Sequence, residues 1–218
     1  MFTCLNNLRI CHLIFIVALM CANACSQKHD PNKILEQLDN GKVVGNTYDN
    51  KLLGLRISFP DKMAVDEKSA VATDLQEFID ALRKGKNVDQ KALDEMIRKD
   101  RIVFTLDLPE SNQSIGSTMS LTLKKDETTE ELTAMVNRTL KFFTESAKQK
   151  VIAPARSERL GKLDFIAAST SMDVEGGTVY SKIYCLRRNG YLATFSISYS
   201  DSGAFKEMEK VISDIELY

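Results

Sequence analysis

The sequence predicts an α+β fold, an α/β/α sandwich in which helices cover a mostly antiparallel sheet. Three observations carry that expectation. Strand-like runs recur between residues 43 and 200, with short turn signals between them. Helical spacing of apolar residues returns at 66–100, 128–148 and 204–216. Several strands are apolar on both sides, as where Ile166 and Ala168 alternate with Leu163, Phe165 and Ala167, so both faces of the sheet need a cover.

Along the chain, Val43 to Tyr48 and Leu53 to Phe59 read as a hairpin around Asp49-Asn50-Lys51, closed by Pro60-Asp61. Leu55, Ile57 and Phe59 share one face of the second strand. Residues 66–100 switch to helical spacing and read as a two-helix insertion. One stripe there holds Val71, Leu75, Phe78, Ile79 and Leu82; the other holds Ala92, Leu93, Met96 and Ile97. Thr73 with Gln76, and Asn87 with Gln90, have the spacing of N-terminal capping pairs. Strands resume at Arg101 to Leu108 and Thr118 to Lys124. A helix follows, opened by Thr128 with Glu131 and running to about Lys148 on Leu132, Met135, Val136, Leu140 and Phe143. A short strand near Arg159 precedes three longer ones, Leu163 to Asp173, Thr178 to Arg188 and Tyr191 to Tyr199. Asn189-Gly190 joins the last two, a hairpin signal because both residue types tolerate positive φ. Ala204 to Glu216 closes the chain as a helix whose stripe is Phe205, Met208, Val211, Ile212 and Ile215.

The first 24 residues read differently. Arg9 is the one charge before an apolar run, Leu13 to Ala22, of about ten residues, which suits a signal-peptide core. A spanning helix needs roughly 20. Ala22-Asn23-Ala24-Cys25 then resembles the lipobox of bacterial lipoproteins, in which cleavage after Ala24 leaves a diacylglyceryl-modified, further acylated (palmitate-type) Cys25 as the new N-terminus. The competing reading is an ordinary small-residue cleavage site that leaves Cys25 free. Residues 25–42, with Asp30-Pro31-Asn32 and Asn40-Gly41, read as a tether with at most a short helix from Asn32 to Leu38. Residues 43–218 make one domain. Ser26 resembles the residue type that permits transfer to an outer membrane where the source has two.

With Tyr48-Asp49-Asn50 leading into Leu55-Arg56-Ile57-Ser58-Phe59-Pro60, this order of elements resembles the PsbP-like family, which includes DcrB-type bacterial envelope lipoproteins. The likeness spans about residues 43–217. Asp61-Lys62-Met63 follows Pro60 where that family often has Gly-Trp. The resemblance implies non-enzymatic roles, docking on membrane complexes or assisting protein partners, and offers no catalytic residue.

Composition narrows the chemistry. A net charge of -1 argues against nucleic acid, whose phosphates call for a concentrated basic surface. Four of five cysteines, Cys4, Cys11, Cys21 and Cys25, fall in the first 25 residues, leaving Cys185, and both histidines, His12 and His29, precede residue 43. Histidine-dependent triads and zinc sites therefore lack their residues in the body, and Gly176-Gly177 lacks the lysine of a phosphate loop. Acidic clusters remain. Asp173 with Glu175 reads as turn solvation, and Glu127, Glu130 and Glu131 as helix-start preference. Cys185 reads as a buried, inert thiol, and Lys182, Arg187 and Arg188 as either a local basic patch or solvation of a strand. No catalytic residue, cofactor or metal is expected. The function expected is a membrane-anchored envelope protein, held by lipid on Cys25, with a domain that binds an envelope protein partner. The alternative is a small-molecule pocket protein or a histidine-free hydrolase whose pocket lies between the sheet and the 66–100 helices.

Overall fold

The computed structural model describes residues 41–66, 101–108, 117–126, 128–146, 149–174 and 177–218. Ala24 and Cys25, and the expected helices of the 66–100 insertion, lie outside them, apart from Asp66, which ends a strand.

Among the described residues, eleven strands form two sheets, and every pairing between them is antiparallel. The smaller sheet has the order β1-β2-β3-β11, from Lys42–Val44, Thr47–Asn50, Leu55–Ser58 and Glu216–Leu217. In the larger sheet β4 (Ala64–Asp66), β5 (Arg101–Leu108), β6 (Ser117–Lys125), β10 (Tyr191–Tyr199), β9 (Gly177–Arg188), β8 (Leu163–Val174) and β7 (Lys150–Leu160) lie side by side in that order. Two helices are described, α1 (Leu132–Ser146) and α2 (Ser202–Ser213).

Four expectations need correction. The first strand, expected over Val43 to Tyr48, is two strands folded about Gly45-Asn46, because Gly45 takes φ 57° and turns the chain back. The strand near Arg159 is eleven residues long, so the meander has four strands. Pro154 obscures β7 in the sequence but is tolerated because β7 is an edge strand, with the ladder interrupted between Ala153 and Arg156. Within that bulge the Ala155 amide donates to Asn137 Oδ1 of α1 at 3.0 Å. At the start of α1, Glu131 rather than Thr128 does the capping. Its carboxylate accepts from the amides of Thr133 and Ala134, while Thr128 Oγ1 accepts from Glu130 N. Finally, the last helix stops at Ser213. Asp214 caps it, and residues 216–217 cross to pair with β3.

The faces of the large sheet differ. On one, Phe165, Ala167, Tyr184, Ala193, Phe195 and Ile197 meet Met208, Val211 and Ile212 of α2 together with Leu55 and Ile57 of the smaller sheet and the flanking Leu53 and Phe59. Phe165 packs edge-on to both Tyr184 and Phe195. On the other, Ala155, Ala168, Ile183, Cys185 and Leu192 meet Met135, Val136 and Leu140 of α1. The alternation that made β8 apolar on both sides is therefore used, one parity for each face.

Candidate functional site

The described residues bring one concentrated group of charged and aromatic side chains together, on the α2 side of the large sheet. Lys182 and Tyr184 project from the same face of β9, two residues apart, as strand alternation requires. Glu158 arrives from β7, and Phe205 and Glu209 from one stripe of α2, where residues four apart are neighbours. Lys182 Nζ donates to Glu158 Oε1 at 2.6 Å and to Glu209 Oε1 at 3.2 Å, and the Tyr184 hydroxyl donates to Glu209 as well. The ammonium stands 4.8 Å from the Tyr184 ring centroid and 5.5 Å from that of Phe205. Phe205 in turn contacts Tyr199, with centroids 4.5 Å apart, and Tyr199 stacks on Tyr180 at 5.6 Å.

Burial, and after it the hydrogen bond to Glu209, holds the Tyr184 phenol well above its ordinary pKa of 10.0; burial also raises Tyr199. Tyr184 is thus a fixed donor near neutral pH. Lys182 is 16% exposed and its contacts are taken by two carboxylates and two rings. Chemically, this arrangement clamps α2 onto β7 and β9. The sequence carried a signal for it in the Lys182/Tyr184 alternation and the Phe205/Glu209 spacing, but pairing either with Glu158 required the sheet order.

The residues singled out from the sequence take structural partners. Asp173 pairs with Lys150 Nζ at 2.8 Å and accepts from Thr178 Oγ1 at 2.9 Å, and hydrogen bonding to Lys150 holds its carboxyl below the ordinary value. Glu130 pairs with Arg138 at 2.7 Å. Glu131 is likewise lowered, by its hydrogen bonds from Thr133 first and Ala134 after. Cys185 is fully buried 3.7 Å from Thr194 Oγ1, and burial pushes its thiol up to about 12. Neither reading of Lys182, Arg187 and Arg188 as a group holds. Arg187 Nε lies 2.6 Å from Asp126, close but misaligned for a hydrogen bond, and Arg188 donates to the Leu53 carbonyl. The three are separated by the ion pairs and carbonyls they serve. Glu127 and Glu175 lie outside the described residues. Among the described residues no group of three or more His, Cys, Asp and Glu side chains is placed to hold a metal, and no helix is long and apolar enough to cross a membrane.

No family model matches the chain, and no curated protein does. Solved structures that it resembles include a crystal structure from Bacteroides thetaiotaomicron, at 13% identity and a TM-score of 0.45, covering 80% of this chain and 48% of that one. The chain thus spans about half the length of that protein. Another is the solution structure of cyanobacterial PsbP (CyanoP) from Synechocystis, at 11% identity and a TM-score of 0.49, covering 81% and 95%. A third is LpqN of Mycobacterium tuberculosis, described as involved in cell envelope biogenesis, at 11% identity and 0.41, covering 75% and 82%. Each TM-score is below 0.5 and each identity below 25%, so what this chain does has to follow from its own residues.

Proposed function

We propose that the chain is a bacterial envelope lipoprotein, held outside the cytoplasm by lipid on Cys25 and presenting a non-enzymatic, PsbP-like α/β/α domain to an envelope protein partner. Ala22-Asn23-Ala24-Cys25, placed directly after the apolar run Leu13 to Ala22, carries the reading. Each buried methylene contributes about 0.8 kcal/mol, so one acyl chain binds marginally and two or three hold firmly. For the domain, the support is that Asp173, Glu130, Glu131, Lys182 and Cys185 are each engaged in capping, ion pairing or packing. Ser26 favours the outer membrane where there are two.

Mass spectrometry of the processed protein tests the anchor. The expected N-terminal peptide starts at Cys25 with acyl mass added, and Cys25→Ala releases the protein from washed membranes. An unacylated start, or an intact leader, overturns the reading. The partner is tested separately by crosslinking in whole cells, where one protein should be recovered repeatedly with the wild type and lost with Cys25→Ala.

A further inference from the structure

The neighbouring central strands β6 and β10 share an unusual alternation: Thr118, Ser120 and Thr122 on one, Thr194, Ser196 and Ser198 on the other. Their register sets Thr122 opposite Thr194, Ser120 opposite Ser196 and Thr118 opposite Ser198. Six short hydroxyl side chains thus form three cross-strand pairs on one face. It is the face that carries Leu192, two residues from Thr194, toward the α1 cluster. Residues of the other parity, such as Met119, Leu121, Phe195 and Ile197, fill the main core. A strand buried on both sides ordinarily reads as a continuous aliphatic run, yet here the middle of one face of two central strands is small and polar.

All six residues are buried, and a hydroxyl at that depth normally has a partner. Thr118 Oγ1 donates to the Leu106 carbonyl at 3.4 Å, and Ser198 Oγ is 3.2 Å from Ser181 Oγ. Thr194 contacts Cys185. Thr122 Oγ1 and Ser196 Oγ have no hydrogen-bond partner, although the residues are only 7% and 1% exposed. They stand diagonally on adjacent strands and point to the same side. The charged residues of this face sit at its two ends, Lys124 and Arg187 beyond Thr122 and Thr194 and Asp107 opposite Thr118, so its middle is neutral. Each hydroxyl both donates and accepts, and the complement of such a surface is an uncharged molecule whose own groups do both.

We propose that this face of β6 and β10 is the floor of a binding site for a small uncharged polyol, a sugar or a relative of one, with Thr122 and Ser196 as its central hydrogen-bonding pair. The site does not depend on where the chain is tethered.

The test titrates the full-length protein, in detergent and with labelled threonine methyl groups, with glucose, N-acetylglucosamine and myo-inositol, using palmitate as the apolar control. The Thr122 and Thr194 methyl resonances are expected to shift saturably with at least one of the three polyols. The double variant T122V/S196A is expected to weaken that binding at least tenfold while its unfolding midpoint stays at or above the wild type, because no existing hydrogen bond is lost. Three results would overturn the site: no saturable shift with any polyol, binding that survives in the double variant, or binding of palmitate alone. A lowered midpoint in S196A would overturn it too, by showing that the hydroxyl already has a partner in the free protein.

Discussion

Gly161 and Cys185 show how much a single position can be bound by the fold around it. Gly161, in the turn between β7 and β8, takes φ 60°, and a methyl group added there would collide with the Ser213 carbonyl oxygen at the end of α2. Gly161→Ala therefore combines a left-handed backbone with a clash against main chain, and a loss of more than about 2 kcal/mol is expected in urea unfolding. An unchanged midpoint would mean that the turn and the helix end move apart freely. Cys185 makes the opposite kind of prediction. With its thiol pushed up to about 12 by burial, it should resist iodoacetamide in the folded protein near pH 8 and react at once in denaturant. Rapid alkylation of the native protein would contradict its position under α1.

At the scale of elements, the Lys182 clamp decides how α2 sits. Removing a partner from a fully buried ion pair costs about 3–5 kcal/mol, and these side chains retain some exposure, so Lys182→Ala should lose about 2 kcal/mol by leaving Glu158 and Glu209 facing one another. Replacing all three together, by Lys182→Met, Glu158→Gln and Glu209→Gln, should recover most of that loss. A triple variant as unstable as Lys182→Ala would show that packing of the lysine stem, not charge, is the larger effect. Tyr184 adds a pH dependence. Because its folded pKa is raised, the stability it contributes is complete below the ordinary phenol value of 10.0 and is lost as pH rises above it, where the unfolded chain ionises first. Thermal melts of wild type and Tyr184→Phe should therefore diverge below that pH and converge above it.

Across the whole molecule, carboxylates set the acid limit. Asp49, Glu131, Asp173 and Asp214 are held below their ordinary values, 3.8 for the aspartates and 4.5 for the glutamate, by hydrogen bonds from Tyr218, Thr133, Lys150 and Lys210 respectively. A depressed folded pKa contributes stability that is complete above the unfolded value and disappears as pH falls through the folded one. The unfolding midpoint should hold from neutrality to about pH 5 and then fall steadily toward pH 3, less steeply in high salt for the Lys150 and Lys210 pairs. Loss at Asp49 has a distant consequence, since its bond from Tyr218 helps fix β11 on β3, and Tyr218 N also donates to the Gly54 carbonyl at 3.2 Å. Hydrogen exchange in residues 47–58 should accelerate first as the acid limit is approached. A flat stability profile down to pH 3 would remove these carboxylates from the account.

Sequence alone determined the elements whose cause is local. Asn189-Gly190 turns β9 into β10 because both residues take positive φ, 51° and 78°, and the stripe of Met208, Val211 and Ile212 buries one side of α2 because its spacing matches the helical period. The expectation of a leader ending before Cys25 is local in the same way, a reading of length and residue type in a short window. Tertiary structure decided whatever depends on neighbours far along the chain. It made β7 a strand despite Pro154, by placing it at a sheet edge and lending it Asn137 from α1. It ended α2 early so that residues 216–217 could close the smaller sheet. It also placed Lys182 between carboxylates from β7 and α2, and it aligned two separate Ser/Thr alternations into one hydroxyl face. Periodicity fixes which side of an element a residue takes, whereas register and strand order, set by the packing of the whole core, fix what that side meets.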